Sequence, residues 1–261
     1  MAIKLGNTSI NKLYLGSTEI KKAYLGSTLI FDNTAESIPT GNLIRYYRFN
    51  NDVTDEVGLG DGTPASITYV TGKSGQAADF NGTNSLVVVA DANDLSFTDG
   101  NDLPFSVSMY VKMSASNSGV IYTKSNNNGL NIEWNCWTVS GTNSIYFRLY
   151  SGGLSANRIG YSTSTLNIGQ WYHIVMTYDG SELLTGINIY LNGVLDTVSD
   201  VSAGTYVRMI NTTSNLNIGD RNNNSFPLDG GLDGLGIWDK ELSQAEVTAI
   251  YNKQNAGNEI L

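Results

Sequence analysis

The most constraining stretch of this chain runs from Trp171 to Leu195. Trp171-Tyr172-His173-Ile174-Val175-Met176-Thr177-Tyr178 is dense in aromatic and β-branched residues and stops at Asp179-Gly180. Ile187-Asn188-Ile189-Tyr190-Leu191 follows and stops at Asn192-Gly193, with Val194-Leu195 beyond. A two-residue type I′ turn needs positive φ at both central positions, which Asp-Gly and Asn-Gly tolerate. Both dipeptides therefore read as hairpin turns, and the segment as short antiparallel strands.

Other segments carry the same signal. Phe105, Val107, Met109 and Val111 alternate with Ser106, Ser108 and Tyr110, the pattern of a half-buried sandwich strand. Leu43 to Phe49, Ala77 to Phe80 and Ser85 to Val89 also read as strands, and the Asn/Asp/Gly-rich run from Asn50 to Gly62 as a long loop. The 261 residues include 28 Gly, only 4 Pro and 41% hydrophobic residues, so apolar content for a core is ample and turns are frequent. Helix formers are scarce until Ser243-Gln244-Ala245-Glu246, where a capping box opens one helix. Leu242, Ala245, Val247, Ala249, Ile250 and Tyr251 give that helix an apolar stripe for docking on a sheet.

Charge and cysteine content remove several functions. A net charge of −9 lacks the clustered Lys and Arg that phosphate-backbone binding draws on, so no nucleic-acid partner is expected. No stretch approaches the roughly twenty apolar residues of a membrane span, so no membrane insertion is expected. The one cysteine, Cys136, precludes an internal disulfide and reads as a small buried residue between Trp134 and Trp137.

The N-terminus is a repeat: Leu5-Gly6-Asn7-Thr8-Ser9-Ile10, Leu15-Gly16-Ser17-Thr18-Glu19-Ile20 and Leu25-Gly26-Ser27-Thr28-Leu29-Ile30. Polar residues interrupt every apolar pair, unlike the apolar run of roughly seven to fifteen residues in a secretory leader. With Gly-Ser/Asn-Thr as turns, the segment reads as a four-strand meander. So short a sheet buries only a thin face, and segments below roughly forty residues usually need a metal, disulfides or oligomerisation. It either pads the following domain or pools with the meanders of other subunits, and the second reading, a trimerising attachment segment, is the one expected. The polar stretch Asp32 to Gly41 ends the rhythm. The expected organisation is therefore a repeat at 1–32, a linker at 33–41 and a sandwich at 42–261.

These motifs together resemble the laminin G-like, concanavalin A-like lectin/glucanase jelly rolls. The pattern is carried by Trp171 to Gly180, Tyr190 to Gly193, Asn217 to Gly219, Gly230 to Asp233 and Leu242 to Tyr251, and it covers about residues 42 to 252. The resemblance implies an all-β fold: two curved antiparallel sheets packed as a sandwich, a short C-terminal helix, and glycans bound on the concave side or rim loops. It also implies a structural calcium held by Asp233 and by the turn at Asn81 and Gly82, with Asp52, Asp55 and Glu56 as further ligands if their loop folds back. The alternative is that Asp233 caps a turn and no ion binds. The family often has Phe-Asp-Gly where this chain has Phe80-Asn81-Gly82. The leading repeat separately resembles units found at the N-termini of bacteriophage virion proteins, in tail or head-associated positions.

Sugars pack their C–H faces on aromatic rings and take hydrogen bonds from Asn and Arg. The glycan-binding candidates are therefore Trp134, Trp137, Tyr150, Arg158, Tyr161, Arg221 and Asn222, each of which also fits simple core or rim packing. Catalysis is not expected. Glucanases of this fold usually place their carboxylates in a Glu-x-Asp-x-x-Glu strand, absent here, and Glu133 has no carboxylate partner at strand spacing. His173, the one histidine, falls on the strand face shared by Trp171, Val175 and Thr177 and reads as structural.

The expectation is a non-enzymatic virion protein of a bacteriophage, assembled in the host cytoplasm and exposed on the particle surface as a tail fibre or head decoration. It would form a homo-oligomer, preferably a trimer, contact other virion proteins through the repeat, and bind a cell-surface or environmental polysaccharide. Three alternatives stand beside it: a structural decoration protein with no ligand, a bacterial extracellular carbohydrate-binding module, and a degenerate glucanase.

Overall fold

The computed structural model describes residues 4–5, 8–9, 13–15, 17–20, 22–25, 28–32, 37–126, 131–152, 156–221 and 224–261. The chain divides into two compact units, 1–38 and 39–261.

In the first unit β1 (Lys4–Leu5), β2 (Thr8–Ser9), β3 (Leu13–Leu15), β4 (Thr18–Ile20), β5 (Lys22–Leu25) and β6 (Thr28–Asp32) pair as three hairpins. Leu5 faces Thr8, Leu15 faces Thr18 and Leu25 faces Thr28. Thr8, Thr18 and Thr28, expected in the turns, thus open strands, and Gly6, Asn7, Gly16, Gly26 and Ser27 lie outside the described residues. The expected four-strand meander does not form: among the described residues each hairpin is a separate two-stranded ladder.

The second unit contains β7 (Leu43–Tyr47), β8 (Gly62–Ala65), β9 (Thr68–Thr71), β10 (Gln76–Asn81), β11 (Leu86–Val89), β12 (Phe105–Met113), β13 (Val120–Ser125) and β14 (Ile132–Val139). It continues with β15 (Ser144–Tyr150), β16 (Asn157–Ser162), β17 (Trp171–Tyr178), β18 (Ile187–Leu191), β19 (Val194–Leu195), β20 (Val198–Asp200), β21 (Leu216–Ile218), β22 (Asp229–Trp238) and α1 (Gln244–Asn255). One antiparallel sheet runs β19-β18-β17-β12-β22-β10-β9, with β7 beside β10 on the same edge of β22. The other runs β20-β16-β15-β14-β13-β21-β11-β8. Their inner faces form one apolar core, in which Phe97 and Phe105 stack at 4.0 Å with Trp134 tilted against both. The expected all-β two-sheet sandwich with one C-terminal helix is what forms.

Local signals are realised unevenly. Asn192 and Gly193 take φ of 51° and 79°, the doubly left-handed turn expected there. Asp179-Gly180 does not: Tyr178 pairs directly with Ile187, and residues 179–186 form the connection. Asp179 instead spends its carboxylate on the Ser181 amide, a local turn that lengthens the loop. The capping box of α1 is complete, with Glu246 N donating to Ser243 Oγ and Ser243 N to Glu246 Oε2. Val247 and Ile250 are buried, whereas Ala245 is exposed.

Candidate functional site

Strand parity decides what each sheet shows to solvent. On β14, Trp134 and Cys136 point into the core, so Glu133, Asn135 and Trp137 point out. On β15, Ile145, Phe147 and Leu149 point in, leaving Tyr146, Arg148 and Tyr150 outside. Trp137 lies opposite Tyr146, and Tyr146 opposite Tyr161 on β16, so three rings form one row across three strands. Tyr146 and Tyr161 stack at 5.1 Å and 15°, and both are half-buried.

The loop after β21 completes this face. Gly219 turns the chain with φ of 93°, and the Asp220 carboxylate accepts the Asn224 and Phe226 amides at 2.7 and 3.0 Å. That fold-back lays Phe226 against Trp137 at 4.5 Å and brings the Arg221 guanidinium to 4.5 Å from the Trp137 ring and 5.0 Å from Phe226. Arg148 reaches the same indole at 5.1 Å and the Tyr146 ring at 5.3 Å. Cation–π attraction therefore holds two guanidiniums on one aromatic row. Burial pulls the Arg221 pKa down from its usual value; Tyr150 opposes the shift, the nearby charge of Arg148 adds to it, and Asp220 opposes it.

The seven expected glycan residues separate accordingly. Tyr161 and Arg221 lie on this face and are partly open, while Trp137 anchors it but is only 6% exposed beneath the arginines. Tyr150 shares the face but is buried, its hydroxyl accepting Asn135 Nδ2 at 3.4 Å. Trp134 is a correction: its parity is inward, it is fully buried, and its Nε1 donates to the Leu95 carbonyl. Arg158 is another. It pairs with inward-facing Leu149, and its Nε donates to the Glu182 carbonyl while its guanidinium covers Tyr206. Asn222 lies outside the described residues. Tyr146 and Arg148 were missed, although the alternation Ile145-Tyr146-Phe147-Arg148-Leu149-Tyr150 places them with Tyr150.

The expected calcium ligands are not assembled. Asn81 lies opposite Asp229, four residues along β22 from Asp233, about 13 Å at strand rise. Asn81 Oδ1 accepts the amides of Thr83, Asn84 and Ser85, so it organises its own turn. The carboxylate beside Gly82 is Asp229. Asp233 Oδ2 accepts the amides of Lys73 and Ser74, its Oδ1 is buried without a partner, and burial pushes the carboxyl up to about 7. These residues do not fit a shared ion. Among the described residues, no three His, Cys, Asp or Glu side chains converge as a metal site would require.

Glu133 is fully buried, accepts from Thr212 N and Oγ1, and pairs with Lys124 at 3.3 Å. His173 is sealed away, its Nε2 2.9 Å from Ser108 Oγ, and burial holds its pKa down at about 3. Elsewhere a cavity of about 440 Å³ opens near Asp52, Asp61, Ile67 and Tyr69. Among the described residues, no Lys or Arg lines it.

A family model described as the concanavalin A-like lectin/glucanases superfamily matches residues 81–248. A search of curated proteins finds no match. Among solved structures, domain 4 of AbnA, a GH43 extracellular arabinanase from Geobacillus stearothermophilus in complex with arabinotriose, superposes with a TM-score of 0.60. Identity is 23%, over 80% of this chain and 98% of that one. The binding domain of Paraclostridial Mosquitocidal Protein 1 gives a TM-score of 0.63 at 17% identity, over 81% of this chain and 52% of that one. The botulinum neurotoxin serotype D/C binding domain gives 0.62 at 15%, over 82% and 52%. This chain thus spans about half of either toxin domain, and at these identities the likeness is one of fold.

Proposed function

The chain belongs to the concanavalin A-like lectin/glucanases superfamily, and from that premise we propose that it is a non-catalytic glycan-binding protein using the outer face of β14, β15 and β16. One observation carries the reading: Trp137, Tyr146 and Tyr161 form a cross-strand row with Arg148 and Arg221 held against it. Half-open tyrosine rings suit sugar C–H faces, and guanidiniums donate to ring hydroxyls and carboxylates. The similarly folded arabinanase domain, solved with arabinotriose, makes arabino-oligosaccharides a natural first probe.

The N-terminal hairpins serve, on this proposal, to attach the chain to a bacteriophage particle and to join it into a trimer. Three copies of one hairpin in register support that role, because each buries little surface alone and gains by pooling with others. Weak single sites then multiply through avidity. A glycan array probed with the full chain and with Tyr161→Ala tests the binding reading. Glycan signals that Tyr161→Ala weakens support it. An array without signals overturns it in favour of a decoration protein with no ligand, and release of soluble sugars from any bound polysaccharide overturns the absence of catalysis.

A further inference from the structure

The two arginines on this face differ from the chain's buried cations in one respect. Arg45 meets Asp55 and Asp94, and Lys124 meets Asp91 and Glu133. Among the described residues, no carboxylate lies within ion-pairing distance of Arg148 or Arg221. Acidic residues are not scarce, since the chain carries 24 Asp and Glu against 15 Lys and Arg. The neighbouring carboxylate, Asp220, favours the charged form of Arg221 from beyond ion-pairing distance, and each of its oxygens accepts a backbone amide. Nε of each arginine is buried without a partner, and aromatic faces fix both guanidiniums, which orients their remaining in-plane donors. Two like charges share one indole, so an anion bound there relieves their repulsion and pairs with them in surroundings poorer in water than bulk.

We propose that this face selects an acidic saccharide, with a uronate carboxylate lodged at Arg148 and Arg221 and a neighbouring sugar ring on Tyr146 and Tyr161. The proposal rests on the glycan-binding reading above and narrows it to a ligand class. Planar guanidinium forks match the planar carboxylate in two-bond geometry, whereas a lysine pair would not discriminate in this way. A single-stranded nucleic acid also combines rings with anions, but its backbone requires a groove lined with cations, and this chain is acidic overall.

Isothermal titration calorimetry on the full chain tests this with a short oligogalacturonide, its fully methyl-esterified form, a sulfated oligosaccharide, arabinotriose and a single-stranded oligonucleotide. The acid should bind about tenfold to a hundredfold more tightly than the uncharged ester. Arg148→Gln/Arg221→Gln should erase that ratio while circular dichroism stays unchanged. Arg221→Lys, which keeps the charge but not the fork, should lose most of it. Binding of the sulfated probe alongside the uronide supports the oxyanion site, whereas binding of the sulfated probe alone overturns the carboxylate assignment. Equal affinity for acid and ester overturns the acidic preference and leaves glycan binding intact. Tighter binding of the oligonucleotide overturns the preference as well, and failure of every saccharide overturns both readings.

Discussion

Lys124 and Glu133 test how this sandwich tolerates buried charge. Lys124 Nζ lies 2.5 Å from Asp91 Oδ1, 2.5 Å from the Ser214 carbonyl oxygen and 3.3 Å from Glu133 Oε1, and the Lys124 and Glu133 side chains are fully buried. Lys124→Met keeps much of the aliphatic volume and deletes the cation. Glu133 then retains its Thr212 donors but no counter-charge, and its Oε2 already lacks a partner. Breaking a buried pair from one side costs about 3–5 kcal/mol, against about 0–1 kcal/mol for an exposed pair. Burial already pushes the Glu133 carboxyl above its ordinary range, with Lys124 opposing, so removing the cation raises it further. A carboxyl raised in the fold contributes fully below its unfolded pKa, and that contribution is lost as pH rises through the folded value. Lys124→Met should therefore lose more stability at pH 8 than at pH 5. Urea unfolding at both pH values measures this, with Lys124→Met/Glu133→Gln as the companion variant. The glutamine still accepts from Thr212 and carries no charge, so the double variant should recover at least half of the pH 8 loss. A loss below about 1 kcal/mol, or an equal loss at both pH values, refutes the reasoning.

Three other outcomes are expected. Asp233, raised by burial from an ordinary 3.8 to about 7, makes stability fall as pH rises between those values, by about 4 kcal/mol if the full shift is expressed; Asp233→Asn should flatten that part of the stability-against-pH curve. Gly219→Ala places a side chain at φ of 93° with its Cβ against the Phe80 ring, and should cost at least about 3 kcal/mol in chemical unfolding. Deleting residues 1–32 should leave a folded monomer by light scattering; a truncated chain that stays oligomeric contradicts the assignment of assembly to the repeat.

What was legible before folding was local. The alternation in Phe105–Val111, the Asn192-Gly193 turn and the Ser243–Glu246 box each specify a backbone conformation within a few residues, and each conformation is realised; the strand is not half-buried as its alternation predicts, because Ser106, Ser108 and Tyr110 are buried too. Asp179-Gly180 failed because the dipeptide also suits a longer Asx-type loop, a choice made by the pairing of Tyr178 with Ile187. The candidate site was half legible. Residue type points to Trp137, Tyr161 and Arg221, but type alone does not separate Trp134 from Trp137.

The sequence by itself determined strands, turns, the capped helix and an all-β domain, because those follow from side-chain period and allowed φ, and the two-sheet sandwich was implied by its family resemblance. Only the tertiary structure decided that Trp134 faces the core while Trp137 carries two arginines, that Asp233 stands apart from Asn81, and that Glu133 is paired with Lys124. Those outcomes depend on which strands become neighbours and in what register. Such pairings join residues far apart in the chain, and hydrophobic alternation is satisfied equally by many of them.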